Sequence, residues 1–166
     1  MDYMIRPYRP WEERYAAEAN CKVYSQEYRW GENFTYYASK IAYDFAAKEK
    51  NEREELWIAE ADGKPVGCVM LVQAEEPYGP GTGQLRLFQV DKEYRRRGIG
   101  SALLDTFMQK AREAGYTSLM LWTAGPLTNA IRKYERLGFR IVETSENTDW
   151  SLDGDTVTEI KMEMAL

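Results

Sequence analysis

The chain has 166 residues, 44% hydrophobic and 30% charged, with 27 acidic residues against 22 basic ones and a net charge of −5. That length is enough for one buried core and short for two domains, and an aromatic content of 13% excludes a disordered chain. The negative balance argues against a dedicated nucleic-acid binder, which needs a basic face, and the absence of histidine removes the usual neutral-pH proton carrier and zinc ligand.

Acid–base work therefore falls to Glu, Asp, Tyr, Lys or water, and no metal site is expected. Cys21 and Cys68 form neither a disulfide framework nor a paired metal motif, and Cys68 lies inside an apolar run. No apolar stretch approaches the ~18 residues of a spanning helix, and the first ten residues carry no signal-peptide pattern. The expectation is a cytoplasmic protein with no membrane partner.

In chain order, residues 3–8 (YMIRPY) read as a short edge strand closed by prolines. Residues 11–29 and 34–50 repeat apolar and aromatic side chains at helical spacing, interrupted by Gly31. The acid-rich EKNEREE that follows reads as a solvated helix end or loop. Two apolar runs, 56–60 and 65–73, flank Asp62-Gly63, a strong hairpin signal. A Pro- and Gly-rich surface loop, 75–83, leads to a third strand at 84–90. Residues 98–114 form an amphipathic helix stopped by Gly115, 118–123 a strand, 128–137 a helix stopped by Gly138, and 139–143 and 156–164 two strands. The pattern predicts an α/β (α+β) fold with a mixed, mostly antiparallel twisted sheet and helices on both faces, all in one domain, 1–166. A C-terminal strand at a sheet edge would allow a homodimer.

The stretch FQVDKEYRRRGIGSALL, residues 88–104, stands apart. A strand runs into three arginines, then Gly98, Ile99 and Gly100, then a strong helix. A helix start offers unpaired N–H groups with partial positive charge, and glycines let a phosphate approach the backbone. The alternative is a tight turn with solvated arginines. The dinucleotide fingerprint fails because Leu103 stands where its third glycine belongs, and the Gly-Lys-Ser/Thr of a nucleotide P-loop is missing.

What fits is RxxGxG, Arg95 to Gly100, which resembles the coenzyme A pyrophosphate loop of the GNAT superfamily of N-acetyltransferases. AIRKYERLGF, residues 130–139, is similar to that family's penultimate helix through Tyr134, Glu135, Gly138 and Phe139. The pattern departs at Leu127, where many members carry an Asn; Asn129 lies two residues later. YSQEYRWGENF (24–34), the LRL before the loop and DWSLDG (149–154) together resemble the acetyltransferase half of MarR-GNAT proteins, here as a stand-alone module.

The resemblance implies acetyl-CoA as co-substrate and a primary amine, in a small molecule or peptide, as acceptor. Arg95, Arg96, Arg97, Gly98, Ile99, Gly100 and Ser101 would hold the pyrophosphate. Phe88, Gln89 and Val90 would pair with the pantetheine amides and aim an N–H at the thioester carbonyl, a role worth roughly 3 kcal/mol per donor in other enzymes. Asn129 would stand in for the missing Asn. Tyr134 would protonate the leaving thiolate; its alternative is a core aromatic. Glu27 would be the base that neutralises the amine, with Tyr28, Trp30 and Glu32 lining the acceptor cleft. Against these stand an exposed helix carboxylate and a packed helix junction. The competing activity is a non-catalytic acyl-CoA-binding regulatory module. Neither cysteine has a base partner, so direct attack with both substrates bound is expected.

Overall fold

The computed structural model describes residues 2–166. In chain order the elements are β1 (Tyr3–Pro7), α1 (Glu13–Tyr28), α2 (Glu32–Ala47), β2 (Glu55–Ala61), β3 (Lys64–Gln73), β4 (Thr82–Val90), α3 (Ile99–Glu113), β5 (Ser118–Ala124), α4 (Thr128–Leu137), β6 (Arg140–Asn147) and β7 (Val157–Ala165). The order read from the sequence holds, with ends shifted by a few residues.

Residues 66–72 of β3 are buried without interruption, and a strand apolar on both faces must be covered on both. Alternation decides which layer covers what. Leu56, Ile58, Cys68, Met70 and Val72 meet Tyr15 and Ala16 of α1 and Ile41 and Phe45 of α2. Trp57, Ala59, Val69 and Leu71 pack on the other side against Leu103, Phe107 and Met108 of α3, with Tyr134 of α4 in the same cluster. The strands form one sheet in the order β1-β2-β3-β4-β5-β7-β6, antiparallel at every step except β4 to β5.

Three expectations need correction. The C-terminal strand is not an edge: β7 lies between β5 and β6, and β6 is the outer strand. β6 also runs to Asn147, past the 143 expected, because pairing with β7 continues where the side chains are polar and exposed and leave no periodic signal. The acid-rich stretch before β2 is a loop, but Glu54 within it is only 6% exposed. Its carboxylate accepts the Gln73 N–H at 2.7 Å and is ion-paired to Lys48.

The centre of the sheet splits. β4 pairs with β5 only from Thr82 to Leu85, while β5 stays on β7 as far as Ala124 and β4 stays on β3 as far as Val90. Between Cys68 and Met70 the register slips: two steps along β3 answer three along β4. The extra residue is a bulge, and Leu87 there has φ 51°. Bulges bend a strand and raise its twist, so β4 swings away from β5 and leaves a wedge between them. The Cys68 thiol, fully buried, donates to the Leu87 carbonyl at 3.1 Å and pins the bulge.

Candidate functional site

The arginine-glycine loop lies where β4 meets α3. A short 3-10 turn, Lys92–Tyr94, follows β4 and is tied to the β2–β3 turn by the Tyr94 hydroxyl, which donates to Asp62 at 2.7 Å. Arg96 has φ 62° and Gly98 φ 85°, and this left-handed backbone turns the chain into α3. Left-handed turn residues feeding a helix start create a concavity lined by N–H groups, suited to an anion. No side chain caps α3 at Gly98, so its first-turn amides stay available.

A groove of about 450 Å³ runs from this loop between α1 and α4. Of the predicted loop residues it brings together Arg95, Arg96, Gly98, Gly100 and Ser101, and it adds Phe88, Gln89, Val90 and Asn129. Arg97 instead stacks over the Tyr94 ring at 5.4 Å, and the Ile99 side chain is buried in the core. α4 contributes three cations that the sequence reading missed, Arg132, Lys133 and Arg136. The available signal was their clustering on one amphipathic helix. Five cationic side chains thus converge in a chain of net charge −5, and a multiply charged pyrophosphate fits that concentration. Glu27 also lies in this groove, where Arg95 Nη1 donates to it at 3.1 Å while Arg95 Nε donates to the Val90 carbonyl at 3.0 Å.

A second cleft, about 370 Å³, lies between α1–α2 and the β4–β5 wedge. Its wall is aromatic: Tyr24 stacks on Trp30 with ring centres 4.9 Å apart, and Trp30 meets Phe34 at 4.9 Å and Trp150 at 5.2 Å. The chain between the helices is strapped to residues 150–153: Gly31 N–H donates to the Trp150 carbonyl at 2.7 Å, Leu152 N–H to the Arg29 carbonyl at 2.9 Å, and Arg29 pairs with Asp153. A Cβ at Gly31 would come within 2.8 Å of a terminal methyl of Leu152, so that exposed side chain would have to turn aside. Of the predicted acceptor residues, Trp30 lines this cleft, Tyr28 lines the groove beside the loop, and Glu32 lines neither. Glu159 of β7 is the carboxylate on the wall of the aromatic cleft.

The two cavities share Tyr24, Phe88 and Leu127. Tyr24 was not among the site residues expected from the sequence. Tyr134 lies just behind this junction, its ring 6.1 Å from Phe88. Burial raises both phenols well above the ordinary range, with Tyr28 adding to the effect at Tyr24 and Tyr24 to that at Tyr134, so both remain protonated donors across physiological pH. Burial and Asp91 push the Cys68 thiol up to about 12, which makes it inert as a nucleophile.

The Acetyltransferase (GNAT) family model matches residues 13–139. The rat protein N-acetyltransferase family 8 member 2 is 35% identical over 99 residues, covering 58% of this chain and 43% of the relative. The chain thus spans less than half the length of that relative. Among solved structures, a GCN5-related N-acetyltransferase from Kribbella flavida superposes with a TM-score of 0.79 at 17% identity, covering 99% of this chain and 98% of that one. A Salmonella typhimurium structure solved with its cofactor acetyl-CoA superposes with a TM-score of 0.73 at 15% identity, covering 100% and 95%.

Proposed function

Since this chain belongs to the GNAT acetyltransferase family, we propose that residues 1–166 form one N-acetyltransferase domain that passes an acetyl group from acetyl-CoA to a primary amine with both substrates bound. One observation carries this reading: a cationic groove and an aromatic cleft meet at Tyr24, Phe88 and Leu127, beside the wedge between β4 and β5. A cytoplasmic setting belongs to the same reading and is supported by two free cysteines.

The residues fit the co-substrate. Arg95, Arg96 and Lys133, with the open amides of α3, would hold the pyrophosphate; Phe88, Gln89 and Val90, on the β4 segment that β5 leaves unpaired, would take the pantetheine amides as a strand edge takes a peptide. Acetyl-CoA supplies the acetyl group as a thioester. The balance requires that a C–N bond form, the C–S bond break, the amine lose a proton and the sulfur gain one. Tyr134 donates the proton to sulfur. Glu27 is the proposed base from the loop side of the junction, and Glu159 is the carboxylate facing the amine from the cleft side; separate Glu→Gln variants distinguish them by which one abolishes the acidic limb of the rate profile. The inert Cys68 supports direct attack over an acyl-enzyme.

The deciding experiment is a thermal melt with acetyl-CoA, CoA and NAD. A ligand at about 100 times its dissociation constant adds roughly 2.7 kcal/mol, so acetyl-CoA and CoA raise the melting temperature by several degrees and NAD does not. Lys133→Glu cuts the affinity about tenfold or more. No shift with acetyl-CoA overturns the assignment, and binding without turnover of any amine favours the regulatory module.

A further inference from the structure

The aromatic cleft has a cation on its wall that no described residue answers. Arg86 of β4 stands opposite Met70 in the register, so its side chain leaves the sheet on the face covered by α1 and α2. Its Nε is buried and has no hydrogen-bond partner, and among the described residues no carboxylate pairs with it. Other arginines are answered: Arg6 by Glu12 and Glu60, Arg29 by Asp153, Arg95 by Glu27. Glu159, the acid on the same cleft wall, accepts from Asn147 rather than from Arg86. A buried donor left without an acceptor costs stability, and the planar fork of guanidinium donors matches a carboxylate.

Resting on the acetyltransferase reading above, we propose that the acceptor is a free α-amino acid with an apolar or aromatic side chain, its carboxylate seated on Arg86. Three parts of the cleft answer three parts of such a molecule. Arg86 takes the carboxylate, Glu159 faces the ammonium, and the rings of Tyr24, Trp30, Phe34 and Trp150 take the side chain. A cavity of about 370 Å³ holds one compact molecule. A peptide acceptor fits less well, because each added residue moves its carboxylate up to about 3.5 Å further from its amine. Among primary amines, the cleft wall selects a zwitterion.

The test is calorimetric binding of the standard amino acids and their carboxamides, in the presence and absence of CoA, to the wild type, Arg86→Met and Arg86→Lys. At least one apolar or aromatic amino acid binds about tenfold or more tighter than its amide, as expected for hydrogen bonds to a charged group. Arg86→Met erases that preference, Arg86→Lys keeps part of it, and neither variant lowers the melting temperature or the shift given by acetyl-CoA. Equal binding of acid and amide, a preference that survives in Arg86→Met, or no amino acid bound by protein that binds CoA overturns the proposal. Loss of the acetyl-CoA shift in the wild type would instead count against the acetyltransferase reading, while binding measured without CoA still reports on Arg86.

Discussion

Tyr134 is 5% exposed, with Phe88 and Phe139 each 6.1 Å from its ring, and its neighbours hold it in a single place. Removing its hydroxyl alone leaves that packing intact. Tyr134→Phe is therefore expected to keep the melting temperature and acetyl-CoA affinity of the wild type while turnover falls about 10²–10⁴-fold, the range of a lost general acid. Equal turnover would make Tyr134 a packing residue. Its identity was legible from the Tyr-Glu spacing before Gly138, as were Arg95 and Gly98, because a loop that turns on itself needs particular residue types at adjacent positions. Arg86 and Glu159 were not legible, since an isolated charge in an alternating strand looks like any solvated residue. Only the covering helices bury the Nε of Arg86 and leave it unanswered.

At the scale of elements, the junction of α1 and α2 is held by the strap from residues 150–153, more than 100 residues away in the sequence. Gly31 is extended, with φ −99°, so its side-chain requirement is one of space and not of conformation. Gly31→Ala needs only the exposed Leu152 side chain to turn aside, so stability is expected to change by less than about 1 kcal/mol, measured by urea melts. The backbone bonds from Gly31 to Trp150 and from Leu152 to Arg29 stay in place, so acceptor affinity and the acetyl-CoA shift are both retained in that variant. A loss well beyond that, or a fall in acceptor affinity, would show that Leu152 is held rigidly in the strap. The helices and most strands were legible, since burial imposes a period that the side chains record. The extension of β6 and the bulge in β4 were not, because pairing between backbones leaves no pattern of its own.

At the scale of the whole molecule, several phenols and one thiol are wholly or largely withdrawn from water in their neutral forms. Burial raises the phenols of Tyr15, Tyr24 and Tyr134 and pushes the Cys68 thiol from its ordinary value near 9 up to about 12. The folded state then holds protons that the unfolded chain releases. Stability is fully present below the unfolded values of about 8.5 for a thiol and 10 for a phenol, and it falls as pH rises above them. Each group adds up to about 1.4 kcal/mol of loss per pH unit. Between pH 9 and 12, urea melts of Cys68→Ala should decline less steeply than those of the wild type, and parallel slopes would show that the thiol is hydrated.

Local chemistry alone, acting over a few neighbouring residues, determined the order of elements, the arginine-glycine loop and the family resemblance. The tertiary structure decided how these parts meet. It brought α4 to the loop with three further cations, placed β7 inside the sheet with β6 as the edge, and opened the wedge between β4 and β5. It also closed residues 24–34 and 149–154, two stretches that already stood out in the sequence, into one aromatic cleft. Contacts of that range depend on how whole elements pack, and no short window of sequence contains both partners.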